Sequence, residues 1–413
     1  MSAAAAPASD PSLAFTPRER RAALSLSSLY ALRMLGLFLI LPVFALHAPK
    51  MAGGDNLTLV GWALGIYGLT QGILQIPFGM ASDRLGRKPV IIFGLVLFAV
   101  GSFVAAAADT IWMAILGRAL QGAGAISAAV TAFLADQTRD EVRTKAMALI
   151  GASIGLMFAV SLVAGPLLYA VIGMGGIFAL TGVLVTAAIG VVIWVVPEDQ
   201  PQSTLLGQHA AKHNPMADLG AALAPELLRL NLGIFCLHLV LMAMFVAVPQ
   251  MLVSIGGLAL SAHWQVYLPT VLASFLVMMP PLAWGERQGK LKHVFLAAIG
   301  ILVVAQAGFL WFAVSLPAIA VLLALFFVAF NVLEASLPSL VSRAAPAHAK
   351  GAALGVYNTT QALGLFAGGA FGGWLYKTSG PAGIFGLGLV LCVIWFVVAA
   401  GMREPVKKSL VSA

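Results

Sequence analysis

The chain has 413 residues, of which 61% are hydrophobic and only 9% are charged. A typical soluble domain carries about 25% charged residues, so a water-soluble fold of this length would have too few charges to cover its surface. The formal net charge of +8 does not indicate a nucleic-acid partner, because the basic residues lie in short clusters between long apolar stretches. Cys236 and Cys392 both fall inside apolar stretches, so neither a disulfide framework nor a metal site is expected.

Long apolar stretches recur along the chain. A bilayer core about 30 Å thick is crossed by a helix of roughly 20 apolar residues. Three arginines precede the first stretch as in a signal peptide, but the stretch is too long for one and no clear cleavage site follows. The pattern predicts an all-α membrane protein with twelve transmembrane helices, span 1 to span 12, at residues 22–46, 58–80, 89–108, 111–134, 146–170, 175–196, 230–253, 264–284, 293–313, 317–341, 352–376 and 381–402.

The distribution of Lys and Arg predicts the orientation. Cytoplasmic loops of membrane proteins carry an excess of these residues. With the N-terminus in the cytoplasm, 19 of the 23 Lys and Arg residues fall on the cytoplasmic side, while Lys50 and Lys377 face outward and Arg33 and Arg118 lie within spans. An error of one helix would scramble this asymmetry. We therefore expect a multi-pass protein of the bacterial inner (cytoplasmic) membrane with both termini in the cytoplasm.

The longest polar connection divides the spans into two sets of six. Within it, residues 215–228 alternate at helical spacing, which predicts either a short interfacial helix or an amphipathic tether. The predicted organisation is a disordered, basic N-terminus, an N-terminal six-helix bundle, a cytoplasmic linker, a C-terminal six-helix bundle and a cytoplasmic tail, at residues 1–21, 22–196, 197–229, 230–402 and 403–413.

The two sets of six also repeat. Four markers in the first set have counterparts 206 or 207 residues later. A nearly constant offset indicates a duplicated six-helix unit, and parallel halves with a site near the midplane are a transporter architecture. The pairs are Pro42 with Pro249, Phe78-Gly79 with Trp284-Gly285, Gly165-Pro166 with Gly372-Gly373, and Arg143 with Lys350.

The loop between spans 2 and 3 carries the most specific motif. It reads GMASDRLGRK, with charge, glycine and spacing in agreement at the predicted position. This pattern resembles the signature loop of the major facilitator superfamily, and the resemblance implies the major facilitator fold, two pseudo-symmetric six-helix bundles and alternating access. The matching residues are Gly79, Asp83, Arg84, Gly86, Arg87 and Lys88.

The resemblance assigns roles to this loop. In the family the aspartate, here Asp83, is thought to hold the halves together in the outward-facing state, by meeting the positive N-terminus of span 11 near Gly351. Arg87 would pair with Asp136 at the cytoplasmic end of span 4. The charged residues that follow, from Arg139 to Glu141, are interpreted as a solvated cluster.

Two further motifs extend the resemblance. Arg118-Ala-Leu-Gln-Gly in span 4 resembles the family motif whose arginine is linked to proton transfer. In span 5 only Gly165-Pro166 matches the antiporter motif, so that motif does not by itself imply antiport. The stretches Leu32–Gly36, Gly65–Gln71 and Asn331–Ala335 are similar to the YajR-type branch of proton-driven drug and efflux antiporters. Some relatives carry a soluble domain after span 12, which is not expected here.

Ionisable residues within membrane helices are costly and are functional candidates by default. In this superfamily helices 1, 4, 7 and 10 line the cavity, and each predicted counterpart holds one such residue. Further polar side chains in the spans are candidates for hydrogen bonds in the cavity, with helix packing as the alternative. The ionisable residues are Arg33, Arg118, His238 and Glu334, and the other polar residues are Tyr67, Gln71, Asn331, Tyr30, Gln75, Tyr267, Tyr357, Asn358 and Gln361.

Glu334 is the one carboxylate well within a span. A medium of low dielectric constant favours the uncharged form of a carboxyl group, so Glu334 is the first candidate for a proton-coupling site. The alternative is a permanent ion pair with Arg33 or His238 that holds the halves together.

The sequence predicts a secondary active transporter that works by alternating access, with proton-coupled efflux (antiport) of a small molecule as the first hypothesis. Because span 1 holds Arg33 rather than an acid, anionic or neutral polar substrates have the same weight as lipophilic cations. The alternatives are an anion or organophosphate exchanger that uses Arg33 and Arg118 without obligatory proton coupling, and a non-transporting membrane sensor.

Enzymatic activity is not expected, because the sequence has no His-Glu-x-x-His motif or nucleophile elbow and offers a single intramembrane acid. The expected partners are a small-molecule substrate, protons and the lipid bilayer. Neither a cofactor nor a nucleic acid is expected, and the predicted oligomeric state is a monomer.

Overall fold

The computed structural model describes residues 14–198, 220–346 and 349–402. Nine helices in these ranges are long and apolar enough to cross a membrane. Two of them are each 51 residues long, and each is interrupted by one glycine whose backbone angles are not helical. These glycines are Gly173 (φ 66°) and Gly380 (φ 63°). Each is therefore two spans, and the first helix supplies the twelfth. The two glycines lie 207 residues apart, the offset of the sequence repeat.

The helices follow the order of the predicted spans. We number them α1 to α12 in the same order. They are α1 (Pro17–Phe38, with a short helix at Phe44–His47), α2 (Leu57–Leu85), α3 (Arg87–Ala106), α4 (Ile111–Ala123 and Ser127–Asp136), α5 and α6 (Asp140–Gly190, bent at Gly173 and continued by a π-helix at Val191–Val195), α7 (Pro225–Ser254), α8 (Trp264–Gln288), α9 (Leu291–Trp311), α10 (Leu316–Ala344), and α11 and α12 (Lys350–Ala400, bent at Gly380).

The first helix begins at Pro17, five residues before the predicted span. Thr16 is its N-cap, and Thr16 and Glu19 form a capping box in which each side chain accepts the other's backbone N–H. This arrangement satisfies N–H groups at the helix start, so the helix includes the arginines that were assigned to a disordered terminus.

Parts of the predicted organisation lie outside the described residues. These are residues 1–13 of the N-terminus, 199–219 of the linker and the tail at 403–413. Residues 215–219 of the proposed interfacial helix fall in the second range, and the described chain resumes with one helical turn before α7 begins at Pro225. The division of the chain into these domains stays a prediction.

The two halves meet along a glycine seam between α2 and α11. A Cβ atom on Gly61 would lie 2.1 Å from the carbonyl oxygen of Gly369, and one on Gly65 would lie 2.7 Å from that of Phe366. Such backbone contact is possible only without side chains. On its other face α11 packs as closely on α7, where a Cβ on Gly368 would lie 2.2 Å from the Leu239 carbonyl oxygen. The high glycine content of α11 therefore serves close helix packing.

The halves separate toward the side of the membrane that carries the Gly79–Lys88 loop, here called the signature side. At the start of α11, a Cβ on Gly351 or Gly355 would meet nothing within 4 Å, and the same holds for Gly151 in α5. The Asp83 side chain is 62% exposed and contacts Arg87 of its own loop. The cavity between the halves is therefore open on the signature side and closed on the opposite side.

Candidate functional site

The C-terminal half brings Glu334, His238 and Gln361 together from three helices. The Gln361 amide nitrogen lies 3.3 Å from Glu334 Oε1 and 2.7 Å from His238 Nε2. Glu334 Oε2 lies 3.7 Å from His238 Nε2. Of the two ion pairs considered for Glu334, the structure forms the contact with His238, and no ion pair joins Glu334 to Arg33 in the part of the chain that it describes.

The hydrogen bonds assign a tautomer to His238. Its Nδ1 atom lies 3.2 Å from the carbonyl oxygen of Ile234, which can only accept, so Nδ1 carries a proton. Its Nε2 atom then accepts from the Gln361 amide. His238 is therefore neutral in this arrangement, and its contact with Glu334 is not a permanent ion pair.

Glu334 lies at the edge of the cavity. Its side chain is 27% exposed, while that of His238 is 5% exposed. Among the described residues no hydrogen-bond donor reaches Glu334 Oε2. One oxygen of the carboxyl group is thus held by Gln361, and the other is buried beside His238 without a hydrogen-bond donor.

The N-terminal half holds a different cluster, made by Arg33, Tyr67 and Arg118. Both guanidinium groups lie over the Tyr67 ring, at 5.6 Å for Arg33 and 4.9 Å for Arg118 from its centroid. Cation–π contacts of this kind strengthen as water is removed, and all three side chains are fully buried. Tyr67 therefore acts as the shared partner of two buried cations.

Neutral groups provide the other contacts of these arginines. Arg33 donates to the hydroxyl group of Ser127. Arg118 Nη1 donates to Gln121 Oε1 at 2.8 Å, and Gln121 in turn donates to Ser102 at 2.8 Å. No carboxylate pairs with either arginine in the described ranges, and the Nη2 atoms of both have no hydrogen-bond partner. The cluster is a buried concentration of positive charge.

The predicted polar residues Asn331 and Gln71 are both largely buried. Asn331 donates to the Ser274 hydroxyl at 2.8 Å and so ties α10 to α8, which is the helix-packing alternative. The Gln71 side-chain oxygen is buried without a partner.

The helix-5 motif lies at a packing contact. A Cβ on Gly165 would lie 2.6 Å from the carbonyl oxygen of Leu39 and 3.0 Å from Pro42, so Gly165-Pro166 brings α5 against the end of α1. In this structure the motif has a packing role. The contacts of Gly165 are with Leu39 and Pro42 of the N-terminal half, not with Glu334.

The signature loop forms the predicted contact with α4. Arg87 Nε donates to Asp136 at 2.9 Å, and its Nη1 donates to Ser82 at 2.8 Å and contacts Asp83. Burial and the two carboxylates act on Arg87 in opposite directions, and the net result is a raised guanidinium pKa. Arg87 thus ties the loop firmly to α4. The contact of Asp83 with the start of α11, which the family resemblance assigns to the outward-facing state, stays a prediction.

Other loop residues shape the turn or stay at the surface. Gly86 has φ 94° and begins α3, a conformation that favours glycine. A Cβ on Gly79 would touch Ala128 of α4 at 3.5 Å. Arg84 is exposed and Lys88 is half-buried.

An ion pair on the signature side corrects one sequence interpretation. Arg139, assigned to a solvated cluster, donates to Glu19 from Nε at 2.8 Å and from Nη2 at 3.1 Å. The Arg139 hydrogen bond lowers the pKa of Glu19 to about 2. The capping box places the Glu19 side chain at the start of α1. Its partner Arg139 is 120 residues away in the chain, so the sequence alone does not predict this pair.

An aromatic cluster closes the cavity on the side away from the signature loop. Phe158 of α5 lies 5.1 Å from Phe38, 5.9 Å from Phe327 and 5.6 Å from Phe330, measured between ring centroids. Phe158 thus inserts one ring from the N-terminal half among rings of the C-terminal half. Phe330 is one helical turn from Glu334, so the acid lies directly beside this closure. Sequence reasoning missed Phe158, because phenylalanine is common in every span.

Comparison with known proteins agrees with the fold. Residues 26–369 and 284–412 match the family described as Major Facilitator Superfamily. The chain belongs to this superfamily and is a membrane transporter for small molecules. The predicted fold of twelve helices in two pseudo-symmetric bundles is confirmed.

The chain is 46% identical over 391 residues to "Inner membrane transport protein YajR" of Escherichia coli (strain K12), which covers 94% of this chain and 85% of that protein. The predicted resemblance to the YajR-type branch is therefore confirmed. The chain is also 28% identical to "Multidrug resistance protein MdtH" of Aeromonas salmonicida (strain A449), over 87% of this chain and 88% of that protein. A bacterial homolog of the human lysosomal transporter Spinster, solved in an inward-facing and unoccupied conformation, shares the fold with a TM-score of 0.70 at 14% identity, covering 94% of this chain and 98% of that chain.

Proposed function

We propose that this transporter is an exporter driven by proton antiport, with Glu334 as the coupling residue. The observation that carries the proposal is the placement of Glu334 at the cavity edge, with one carboxyl oxygen bonded to Gln361 and the other without a donor. A neutral His238 beside it leaves the carboxyl free to gain or lose a proton without breaking an ion pair.

The proposed cycle uses competition at this carboxyl group. With both termini in the cytoplasm, the open signature side makes this structure an inward-facing state. Substrate that binds beside Glu334 favours the ionised form and releases a proton to the cytoplasm. After the halves rearrange, a proton from outside reprotonates Glu334 and displaces the substrate. Each ligand shifts the equilibrium only by its different affinities for the two states.

The relatives support the direction of transport. Similar proteins are named for multidrug resistance, and a tetracycline resistance protein of class B from Escherichia coli is 35% identical over 136 residues, or 32% of this chain. A membrane transporter confers resistance by moving a compound out of the cell. We extend this direction of transport to the present chain. We also propose that the chain acts in the inner membrane and as a monomer.

The test uses everted membrane vesicles whose lumen is acidified by respiration, with a pH-sensitive dye and a panel of cationic, anionic and sugar-like compounds. The intact protein should alkalinise the lumen when a substrate is added, and Glu334→Gln should abolish this response. Glu226→Gln is the matched control, because Glu226 is half-exposed and pairs with Arg229 near the start of α7. An unchanged response in Glu334→Gln would exclude Glu334 as the coupling residue.

A second candidate function rests on the other cluster. Two buried guanidinium groups without a carboxylate are suited to an anionic substrate, so exchange of anions or organophosphates without obligatory proton movement is the alternative. Counterflow of a radiolabelled anion, lost in Arg33→Gln and retained in Glu334→Gln, would favour the exchanger over the antiporter.

A further inference from the structure

A histidine is fully buried where the two halves meet on the side opposite the signature loop, here called the closed side. His263 immediately precedes α8, and its exposed fraction is 0%. The 3-10 turn just before it, Leu260–Ala262, packs against the bent helix that forms α5 and α6 of the other half. His263 therefore belongs to a contact that separates when the cavity opens on the closed side.

The sequence repeat shows that helix capping does not explain this histidine. Asn56 lies 207 residues earlier and is the N-cap of α2, where its side chain accepts the Thr58 backbone N–H at 3.2 Å. His263 is the N-cap of α8, but its side chain makes no such hydrogen bond. The histidine thus replaces a capping residue without taking over the capping contact.

The surroundings of His263 do not support a charged imidazole. Neither ring nitrogen has a hydrogen-bond partner in the part of the chain that the structure describes. The Leu258 backbone lies close enough to act on the ring, but makes no hydrogen bond with it. Tyr267, one helical turn further on, is equally buried, and the two rings pack edge to face with centroids 6.2 Å apart. Because an unpaired buried charge is far more costly than a neutral ring, His263 is neutral here.

The neighbouring helices bring no charged group to His263. The closed-side parts of α9 and α10, which pack against α8, contain no titratable residue. The closed-side parts of α5 and α6 contain only Tyr169, whose hydroxyl group lies 3.0 Å from His47 Nδ1 and 3.2 Å from Lys50 Nζ. The titratable neighbour on α8 itself is Tyr267. The environment of His263 is therefore set by burial between the halves.

We infer that His263 is a second proton-binding site of this transporter, which stays neutral while the closed side is closed and binds a proton when that side opens. Opening exposes the ring to water, where an imidazole has a pKa of about 6.5. A ligand that binds only one of two forms shifts the equilibrium toward that form. Acid therefore favours the form that is open on the closed side. The inference rests on the alternating access of the proposed function, but not on proton coupling at Glu334.

The test measures opening directly, as the distance between two spin labels on closed-side loops of different halves. Asp109→Cys in the loop between α3 and α4 and Val314→Cys in the loop between α9 and α10 provide exposed attachment sites. The native cysteines are both buried and remain unlabelled. Double electron–electron resonance is recorded on the purified protein at pH 7.5 and pH 5.5. All samples also carry Glu334→Gln, so that proton binding at Glu334 does not contribute.

The ratio of the long-distance to the short-distance population should rise about tenfold between pH 7.5 and pH 5.5, as expected for one proton that binds only the open form with a pKa of about 6.5. His263→Asn, which installs the residue found at the equivalent position 56, should remove this rise. His47→Asn is the matched control on the same side. It should keep the rise, because the partners of His47 belong to its own half and move with it.

Unchanged distances at the two pH values in the protein that keeps His263 would overturn the inference, and this result needs no His263 variant that folds. A tenfold rise that persists in His263→Asn would overturn it as well. Equal loss of the rise in His47→Asn would assign the response to the closed side in general and not to His263. The vesicle assay tests Glu334 separately, so the two proposals can fail independently.

Discussion

The two halves of this transporter differ in how far they bury the ionisable side chains of their membrane helices. The N-terminal half buries Arg33 and Arg118 completely and fixes them with Tyr67, Ser127 and Gln121. The C-terminal half leaves Glu334 partly exposed beside a neutral histidine. The comparison teaches that the arginines are held in place by fixed partners, whereas the acid is the group that we propose changes its protonation state.

The physical reason is the cost of burying charge. A cation taken out of water loses several kcal/mol of hydration and must recover it from fixed partners. The tyrosine ring, the Ser127 hydroxyl group and the Gln121 amide supply those partners without cancelling the charge. A carboxyl group has another route, because it can become neutral by binding a proton. In the proposed antiport mechanism, the half that holds the acid is therefore the half that responds to pH.

The largest expected effect concerns the glycine seam between α2 and α11. Gly65→Leu would force α2 and α11 apart, since even a Cβ would lie 2.7 Å from the Phe366 carbonyl oxygen. We expect loss of transport and labelling of the cavity from the side opposite the signature loop by a membrane-impermeant thiol reagent, at a cysteine introduced beside Glu334.

Gly386→Leu in α12 is the control for the seam, because a Cβ there meets nothing within 4 Å. It should keep transport and show no such labelling. If both leucine variants behave alike, the glycine seam is not what closes this side of the molecule.

A second prediction separates structural from functional charges. Arg118→Ala removes a buried charge-assisted hydrogen bond and a cation–π contact, and should lower the free energy of unfolding by about 3 kcal/mol. Glu334→Gln keeps the shape of the side chain and should change it by less than about 1 kcal/mol. Thermal unfolding in one detergent measures both. A larger loss in Glu334→Gln would mean that the acid is the structural charge.

The shared tyrosine gives a smaller effect. Tyr67→Leu removes the ring over which both guanidinium groups lie, and should cost about 1–2 kcal/mol of stability. Tyr67→Phe keeps the ring and should stay close to the intact protein, because the Tyr67 hydroxyl has no hydrogen-bond partner among the described residues. Equal losses in the two variants would assign the effect to the hydroxyl group instead.

The smallest effect lies outside the membrane, at Glu19. Arg139 lowers the pKa of Glu19 from 4.5 to about 2. The ionised form is therefore favoured by folding, and its contribution is present above pH 4.5 and is lost as the pH falls toward 2. The thermal midpoint of Glu19→Gln should be slightly lower than that of the intact protein at pH 7, with the difference shrinking in acid. A difference that grows in acid would contradict this pair.

The sequence predicted most of the fold, because helix length, the signature loop and the repeat are all local patterns. Gly173 and Gly380 show the same repeat in the backbone. The sequence also identified the ionisable residues within the membrane helices, but not the side chains that contact them. Gln361 appeared only as one of many polar residues, and its position between Glu334 and His238 depends on the convergence of three helices. The insertion of Phe158 between the halves likewise has no local signal.

The most direct test of the central claim is infrared difference spectroscopy of the purified protein between acid and neutral pH, since a protonated carboxyl group has its own C=O stretching band. The intact protein and Glu226→Gln should both show a pH-dependent band that is absent from Glu334→Gln. That result would establish that Glu334 gains and loses a proton within the membrane. Identical difference spectra for the intact protein and Glu334→Gln would show that this carboxyl group does not titrate, and the antiport account would be wrong.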